Sequence, residues 1–226
     1  MKALHFLKID YVKTKQQMLF TPVFLLLIVI IMIVPDSDIR EYSAVVPFSY
    51  MVFMMIIFSC SPFGSCRSEE TGFLQLLPAT TRDRVAGRFL YGMSLIMIAV
   101  VLGAGALAAF RLFGFQSSAM DIPLCLIALA GGIFIMTAEY VFFYLFGENT
   151  AQNLLGIIRV LPGMCFFFVT ANLSKEIMKE PEKLQQFMET VGRNLNLIGG
   201  IALAASLIMF VAAIGLCAAI TDKRDC

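Results

Sequence analysis

Long apolar stretches separated by short polar segments dominate the pattern of hydrophobic and polar positions along this chain. Six of them approach or exceed the length of about 20 residues that a helix needs to cross a bilayer. They cover residues 18–34, 44–64, 89–110, 122–147, 154–171 and 197–220. No water inside lipid can satisfy backbone groups, so helices are the expected structure of these stretches. We therefore predict an all-α membrane protein with six transmembrane helices, forming a single transmembrane domain over residues 1–226.

The composition supports a membrane protein and excludes several other classes. The chain is 59% hydrophobic and only 15% charged, whereas a soluble domain carries about 25% charged residues. The net charge of +1 gives no reason to expect a nucleic-acid partner. The chain has one histidine, and its six cysteines form no C-x-x-C pair, so we predict no metal site and treat the cysteines as small hydrophobic residues.

The sequence also lacks the motifs of the common membrane-associated enzymes. There is no G-x-x-x-x-G-K-[ST], no H-E-x-x-H and no G-x-S-x-G, and the first of these would be needed to bind ATP in a P-loop. We therefore predict that this chain is not an enzyme, that it has no catalytic residue and that it binds no cofactor.

The distribution of lysine and arginine predicts the orientation in the membrane. A cytosolic N-terminus places eleven of these residues on the inside and six on the outside, as the positive-inside rule requires. Both termini are then cytosolic, and so is the long loop between the second and third spans.

The segment before the first span has the pattern of a surface helix. Apolar side chains recur at helical spacing among basic ones, namely Leu4, Leu7, Tyr11 and Met18 among Lys8, Lys13 and Lys15. We predict an N-terminal helix over residues 2–17 that lies along the inner membrane surface. An ordinary basic arm is the alternative.

The cytosolic loop over residues 65–88 is too apolar to be a solvated linker. Phe73, Leu74, Leu76 and Leu77 form a short apolar segment that ends at Pro78. Thr80 and Asp83 then have the spacing of a capping box, so a new helix is predicted to begin there and to continue into the third span. An exposed apolar patch of this kind usually marks a docking surface, although the segment could instead rest on lipid.

The predicted external segment, residues 172–196, contains a second helical pattern. Leu184, Phe187, Met188 and Val191 recur at i, i+3, i+4 and i+7, and Pro181 suits the first turn of a helix. We predict a small external helix that leans on the bundle, with a solvated charged helix as the alternative.

Two opposite charges fall at matching depths in neighbouring spans. Glu139 lies in the fourth span and Arg159 in the fifth, each about 10 Å from the predicted inner end of its helix. Because a charge inside a membrane seldom faces lipid, we predict that the two form an ion pair. The pair could belong to a transport pathway or gate, or it could simply clamp two helices together.

Two further sets of residues carry expectations about packing. The tyrosines near predicted span ends are expected to face lipid as interfacial anchors, and they are Tyr11, Tyr42, Tyr91, Tyr140 and Tyr144. The glycine pairs within spans are expected to be sites of close helix packing, and they are Gly103 with Gly105, Gly131 with Gly132, and Gly199 with Gly200.

The stretch GFLQLLPATTRDRVAGRFLYG, residues 72–92, resembles a motif of small bacterial ABC transporter permeases of the type-2 exporter class. The similarity rests on Leu76-Leu77-Pro78, Thr81-Arg82, Val85, Gly87-Arg88 and Phe89-Leu90. The length, the six predicted spans, the cytosolic ends and the N-terminal surface helix are similar to that class too. The chain departs from the usual pattern at Ala79-Thr80-Thr81 and in its short first span.

The resemblance implies a permease subunit of an ATP-driven exporter in the bacterial cytoplasmic (inner) membrane. Such a subunit pairs with a second permease chain and with cytosolic ABC ATPase subunits, which bind the ATP and Mg²⁺. The resemblance implies an amphipathic or peptide-like substrate. The implied coupling helix and its flank, which contact the ATPase, comprise Glu69, Glu70, Phe73, Leu74, Leu76, Leu77, Pro78 and Arg82. An ion-coupled secondary transporter with Glu139 as the proton carrier, and a vitamin-binding membrane component, are the alternatives.

Overall fold

The computed structural model of the chain describes residues 2–18, 45–64, 80–112, 121–147, 150–151 and 181–225. Within these ranges the helices are α1 (Lys2–Met18), α2 (Val45–Ser59), α3 (Ser61–Gly64), α4 (Thr81–Leu112), α5 (Asp121–Phe146) and α6 (Pro181–Asp225). The described part of the chain contains no strand, so the prediction of an all-α protein is confirmed there.

Three predicted spans coincide with helices that are long and apolar enough to cross a membrane. These segments are Thr81–Ala108, Asp121–Phe146 and Asn194–Lys223, and they overlap the predicted third, fourth and sixth spans over nearly their whole length. The predicted second span is occupied by a shorter apolar helix, Phe48–Phe63, which is interrupted at Cys60. The first predicted span, apart from Met18, and the whole of the fifth lie outside the described residues.

The start of α4 confirms the predicted capping box. The Thr80 Oγ1 accepts a hydrogen bond of 3.2 Å from the Asp83 backbone N–H, and the Thr80 hydroxyl donates to the Asp83 carboxylate at 2.7 Å. The Thr80 hydroxyl thus satisfies an N–H of the first turn that has no intrahelical acceptor. The new helix therefore begins directly after the apolar loop segment and continues without a break into the third span.

Contacts along α2 and α5 show that these helices run in the same direction. Glycine at position 132 allows Val52 of α2 to approach closely. Further along both helices, the Tyr140 hydroxyl donates to the carbonyl oxygen of Ser59, the last residue of α2. Helix α4 runs the opposite way, because Gly103 near its end faces Phe48 near the start of α2.

Helix α6 runs parallel to α5. Gly199 packs against Leu126, where an added Cβ would lie 3.2 Å from the Leu126 Cβ. Two turns after Gly199 on α6, and one turn after Leu126 on α5, the Ser206 hydroxyl donates to the Ala130 carbonyl oxygen at 3.0 Å. These two contacts place the first half of α5 beside the first half of Asn194–Lys223, the apolar part of α6.

Helix α6 also corrects the expectation of a separate small external helix. It begins at Pro181, as predicted, but continues as one helix of 45 residues to Asp225. At 1.5 Å per residue its length is roughly 67 Å, against about 30 Å for the hydrocarbon core of a bilayer. No proline follows Pro181 in this helix, so each later residue keeps the backbone N–H with which the helix continues through the boundary. The side chains of residues 181–193 lie outside the described part.

Helix α1 confirms the predicted N-terminal helix and packs across the beginning of α4. Gly87 of α4 permits this approach, because a Cβ there would lie 2.6 Å from the Phe6 Cβ and 2.8 Å from the Ala3 carbonyl oxygen. The Tyr91 hydroxyl donates to the Thr14 Oγ1 at 2.7 Å. The packed face of α1 therefore contains Phe6 and Thr14, and Leu4 of the predicted apolar stripe is 60% exposed.

Candidate functional site

An aromatic cluster joins α3, α4 and α5 at the end of the bundle where α4 begins. The cluster consists of Phe63, Phe89, Tyr140, Phe143 and Tyr144. The Phe63 ring stacks on Phe143, with ring centroids 4.3 Å apart and planes 6° apart, and its edge contacts involve Tyr140 and Tyr144. Phe89 packs on the same two tyrosines and also reaches α6 through Phe210, at 5.4 Å between centroids.

The guanidinium of Arg88 closes this cluster from the side of α4. Its Cζ lies 4.6 Å from the centroid of the Phe63 ring, a distance at which a cation is attracted by the ring face. Arg82, Arg84 and Arg88 all lie in the first turns of α4, and we call this side of the bundle the arginine end. Phe63 contacts Arg88 at this end, so Gly64 and Thr80, the described residues on either side of segment 65–79, both lie at the arginine end.

A polar contact fixes the break between α2 and α3. The Cys60 thiol donates a hydrogen bond of 2.8 Å to the Glu139 Oε2, and Glu139 is fully buried. One residue earlier, the Tyr140 hydroxyl donates to the Ser59 carbonyl oxygen at 2.8 Å. The last carbonyls of a helix have no partner within it, so α5 supplies one where α2 ends. Two consecutive residues of α5, Glu139 and Tyr140, thus hold the last residue of α2 and the residue that follows it.

The expectation of lipid-facing anchors is wrong for Tyr91 and Tyr140, which have no exposed surface. Tyr144 is partly exposed and packs on two phenylalanines. Cys60 is a buried member of the apolar core, as expected, and its thiol also donates a hydrogen bond. A sequence signal for the cluster does exist, because Glu139, Tyr140, Phe143 and Tyr144 share the i, i+1, i+4, i+5 spacing of one helix face.

Similarity to a known protein family covers nearly the whole chain. A family model described as "ABC-2 family transporter protein" matches residues 5–221. The chain belongs to this ABC-2 transporter family. No curated protein and no solved structure matches it significantly. The match spans nearly the whole chain, so it confirms the resemblance that the sequence motif indicated.

Membership in the ABC-2 transporter family also bears on the alternative functions. The family consists of membrane transport subunits that are generally not enzymes. This favours an ABC transporter permease over a secondary transporter or a vitamin-binding component. In the structure, Glu139 is engaged in a contact between two packed helices, which is an arrangement that stabilises helix packing.

Of the residues predicted to form the ATPase-contacting site, only Arg82 is described. It is exposed on the first turn of α4, beside the capping Asp83. The others, namely Glu69, Glu70, Phe73, Leu74, Leu76, Leu77 and Pro78, lie outside the described residues. Their coupling role in this ABC-2 family transporter stays a prediction.

The predicted ion pair between Glu139 and Arg159 also stays a prediction, because Arg159 lies outside the described residues. We expect Arg159→Gln alone to reduce stability and transport more than Arg159→Gln combined with Glu139→Gln. The single change leaves a buried carboxylate without its cation, which is a costly state inside a membrane. Thermal unfolding in detergent and transport in reconstituted vesicles would measure both effects. Equal damage in the two variants would argue against the pair.

Proposed function

We propose that this chain is the permease subunit of an ATP-driven exporter in the bacterial cytoplasmic membrane. It would act with a separate cytosolic ABC ATPase, which binds ATP and Mg²⁺, and with a second permease chain. The observation that carries the proposal is the match of the ABC-2 transporter family over residues 5–221. The export direction and an amphipathic or peptide-like cargo follow only from the resemblance of residues 72–92 to exporter permeases.

The directions of the described helices support six crossings. Helices α5 and α6 run parallel, so Gly147 and Pro181 lie at opposite ends of the bundle. Helix α1 packs at the arginine end, whereas α2 begins at the opposite end and runs towards it. The proposed topology therefore has six crossings, namely α2, α4, α5, α6 and the two spans predicted at residues 18–34 and 154–171, with both termini at the arginine end.

The positive-inside rule assigns that end to the cytosol, where an ATPase could reach it. Segment 65–79 is attached to the bundle on both sides. Before it, Phe63 is stacked on α5, and after it, the capped first turn of α4 leads directly to Arg88. In the proposed mechanism, a displacement of this segment is passed to the helices to which it is joined. An ATPase that binds the apolar side chains of segment 65–79 would therefore displace α2, α4 and α5 together.

The aromatic cluster is the best candidate for the element that distributes this movement. Its rings connect α3, α4, α5 and, through Phe210, α6. A close-packed cluster transmits displacement because it is nearly incompressible. Tilting of several spans at once is the response that alternating exposure of a transport pathway needs.

The decisive experiment is co-purification of the tagged chain with a co-expressed candidate ABC ATPase. We expect Phe73→Asp combined with Leu76→Asp to abolish retention of the ATPase, because two carboxylates cannot enter an apolar groove without a large desolvation cost. The matched control is Thr71→Asp combined with Gln75→Asp, which adds the same charge to polar positions of the same segment and should retain the ATPase. Undiminished binding by the first variant would count against the coupling role. A wild-type chain that retains no ATPase would count against the proposed function.

A further inference from the structure

The outward face of α1 combines two lysines with two exposed apolar side chains. Leu4, Lys8, Val12 and Lys15 follow one another at spacings of four, four and three residues, so they form one stripe along the helix. Leu4 is 60% and Val12 is 68% exposed, and both lysines are exposed. Asp10, the acidic residue of this helix, is buried on the opposite side. The stripe is therefore basic and apolar, with no negative charge of its own.

The contacts of α1 with α4 set the depth of this stripe relative to the membrane. Along α4 these contacts extend from Gly87, which faces Phe6, to Ser94, whose hydroxyl lies 2.8 Å from that of Tyr11. This covers roughly 10 Å of the helix axis. The apolar run of α4 begins at Phe89, directly after the last of the three arginines in its first turns. Helix α1 therefore crosses α4 at the boundary between the charged and the apolar parts, where lipid headgroups lie.

We propose that the stripe of Leu4, Lys8, Val12 and Lys15 binds the headgroups of anionic phospholipids in the adjacent leaflet. The apolar side chains would enter the boundary of the acyl chains, and the lysine stems would extend along them to place their ammonium groups at the phosphates. The inference relies on the proposed topology only for naming this leaflet as the cytosolic one. Each lysine near an anionic surface contributes a roughly fivefold preference for that surface.

This interaction has a structural use. The opposite face of α1 is fastened to α4 through the Tyr91–Thr14 hydrogen bond and the close contact at Gly87. A helix fixed to headgroups on one side and to α4 on the other holds the start of α4 at a constant depth. Movement of segment 65–79 would then tilt α4 about this level instead of sliding it through the membrane.

The test exploits the absence of tryptophan from the chain. A Val12→Trp variant of the full chain places the single tryptophan between Lys8 and Lys15. It is reconstituted in vesicles of equal amounts of phosphatidylcholine and phosphatidylglycerol, with brominated acyl chains on one lipid or on the other. We expect stronger quenching when the bromine is on phosphatidylglycerol. The preference should fall by roughly fivefold or more in Lys8→Gln combined with Lys15→Gln, and it should return in Lys8→Arg combined with Lys15→Arg.

The control replaces two lysines elsewhere, Lys179→Gln and Lys183→Gln, and should leave the preference unchanged. Equal quenching by both lipids would overturn the proposal, as would loss of preference in the control. Absence of quenching by either lipid would overturn it too and would point to a protein partner on this face. The assay needs no ATPase and has bromine in both leaflets, so its failure is distinguishable from failure of the proposed function.

Discussion

Replacing Gly132 with alanine is expected to lower the free energy of unfolding by about 1–3 kcal/mol, the usual cost of overpacking a core. A Cβ at this position would collide with the Val52 Cγ1 and lie 3.4 Å from the Ile56 Cδ1. Val52 is β-branched and buried, so its side chain has few other rotamers. Helix α2 would have to move away from α5. A Gly132→Leu variant should fail to accumulate in the membrane.

The adjacent glycine provides a matched control for this prediction. Gly131 belongs to the same helix, and a Cβ there meets nothing within 4 Å. Gly131→Ala should therefore be neutral or slightly stabilising, since alanine is the better helix former. Thermal unfolding in detergent, with both variants measured side by side, provides the comparison. Equal midpoints for the two variants would show that α2 and α5 are not in close contact at Gly132.

Replacing Phe63 with alanine is expected to cost about 3–5 kcal/mol, as for other buried phenylalanines. The change removes the stacking on Phe143, the edge contacts with Tyr140 and Tyr144 and the ring beneath Arg88. It also releases the end of α3 from α5, just before segment 65–79. Under the proposed function, the variant should still bind the ATPase but should lose transport, because the segment would move without the helices.

The control for this second prediction is Phe53→Ala in α2. Phe53 is 37% exposed, so the same substitution there removes less buried surface and leaves the aromatic cluster intact, and transport should continue. Unfolding in detergent, ATPase co-purification and transport in vesicles are measured for both variants. The proposed role of the aromatic cluster would be contradicted if Phe63→Ala were destabilised but transported normally at a temperature where it stays folded.

Several elements of the fold could be predicted because they depend on local physics. Capping by Thr80 and the start of α6 at Pro181 follow from residues within one turn of the helix end. The third, fourth and sixth spans follow from the length of their apolar runs. The family, too, was evident from residues 72–92, because the motif is contiguous in sequence.

The break in the second span and the continuity of α6 were not predicted. The stretch 44–64 carries no charge, but Pro62 within it has no backbone N–H to donate. Its first helix ends at Ser59, whose carbonyl oxygen accepts a hydrogen bond from the Tyr140 hydroxyl of α5. The polar part of α6, by contrast, continues the helix, because nothing in it interrupts the backbone hydrogen bonds. The ends of an apolar run therefore do not by themselves show where a helix begins or ends.

The apolar pattern of the sequence by itself determined that this protein is a helical membrane protein, since lipid requires each spanning segment to satisfy its own backbone. Only the tertiary structure decided which of two adjacent glycines, Gly131 or Gly132, receives another helix. Likewise, it decided that Tyr140 caps α2 instead of facing lipid. In a helix that is apolar on all sides, the packed face and the lipid face have the same composition. The side that each residue faces therefore depends on its neighbours in space, which the order of residues along the chain does not specify.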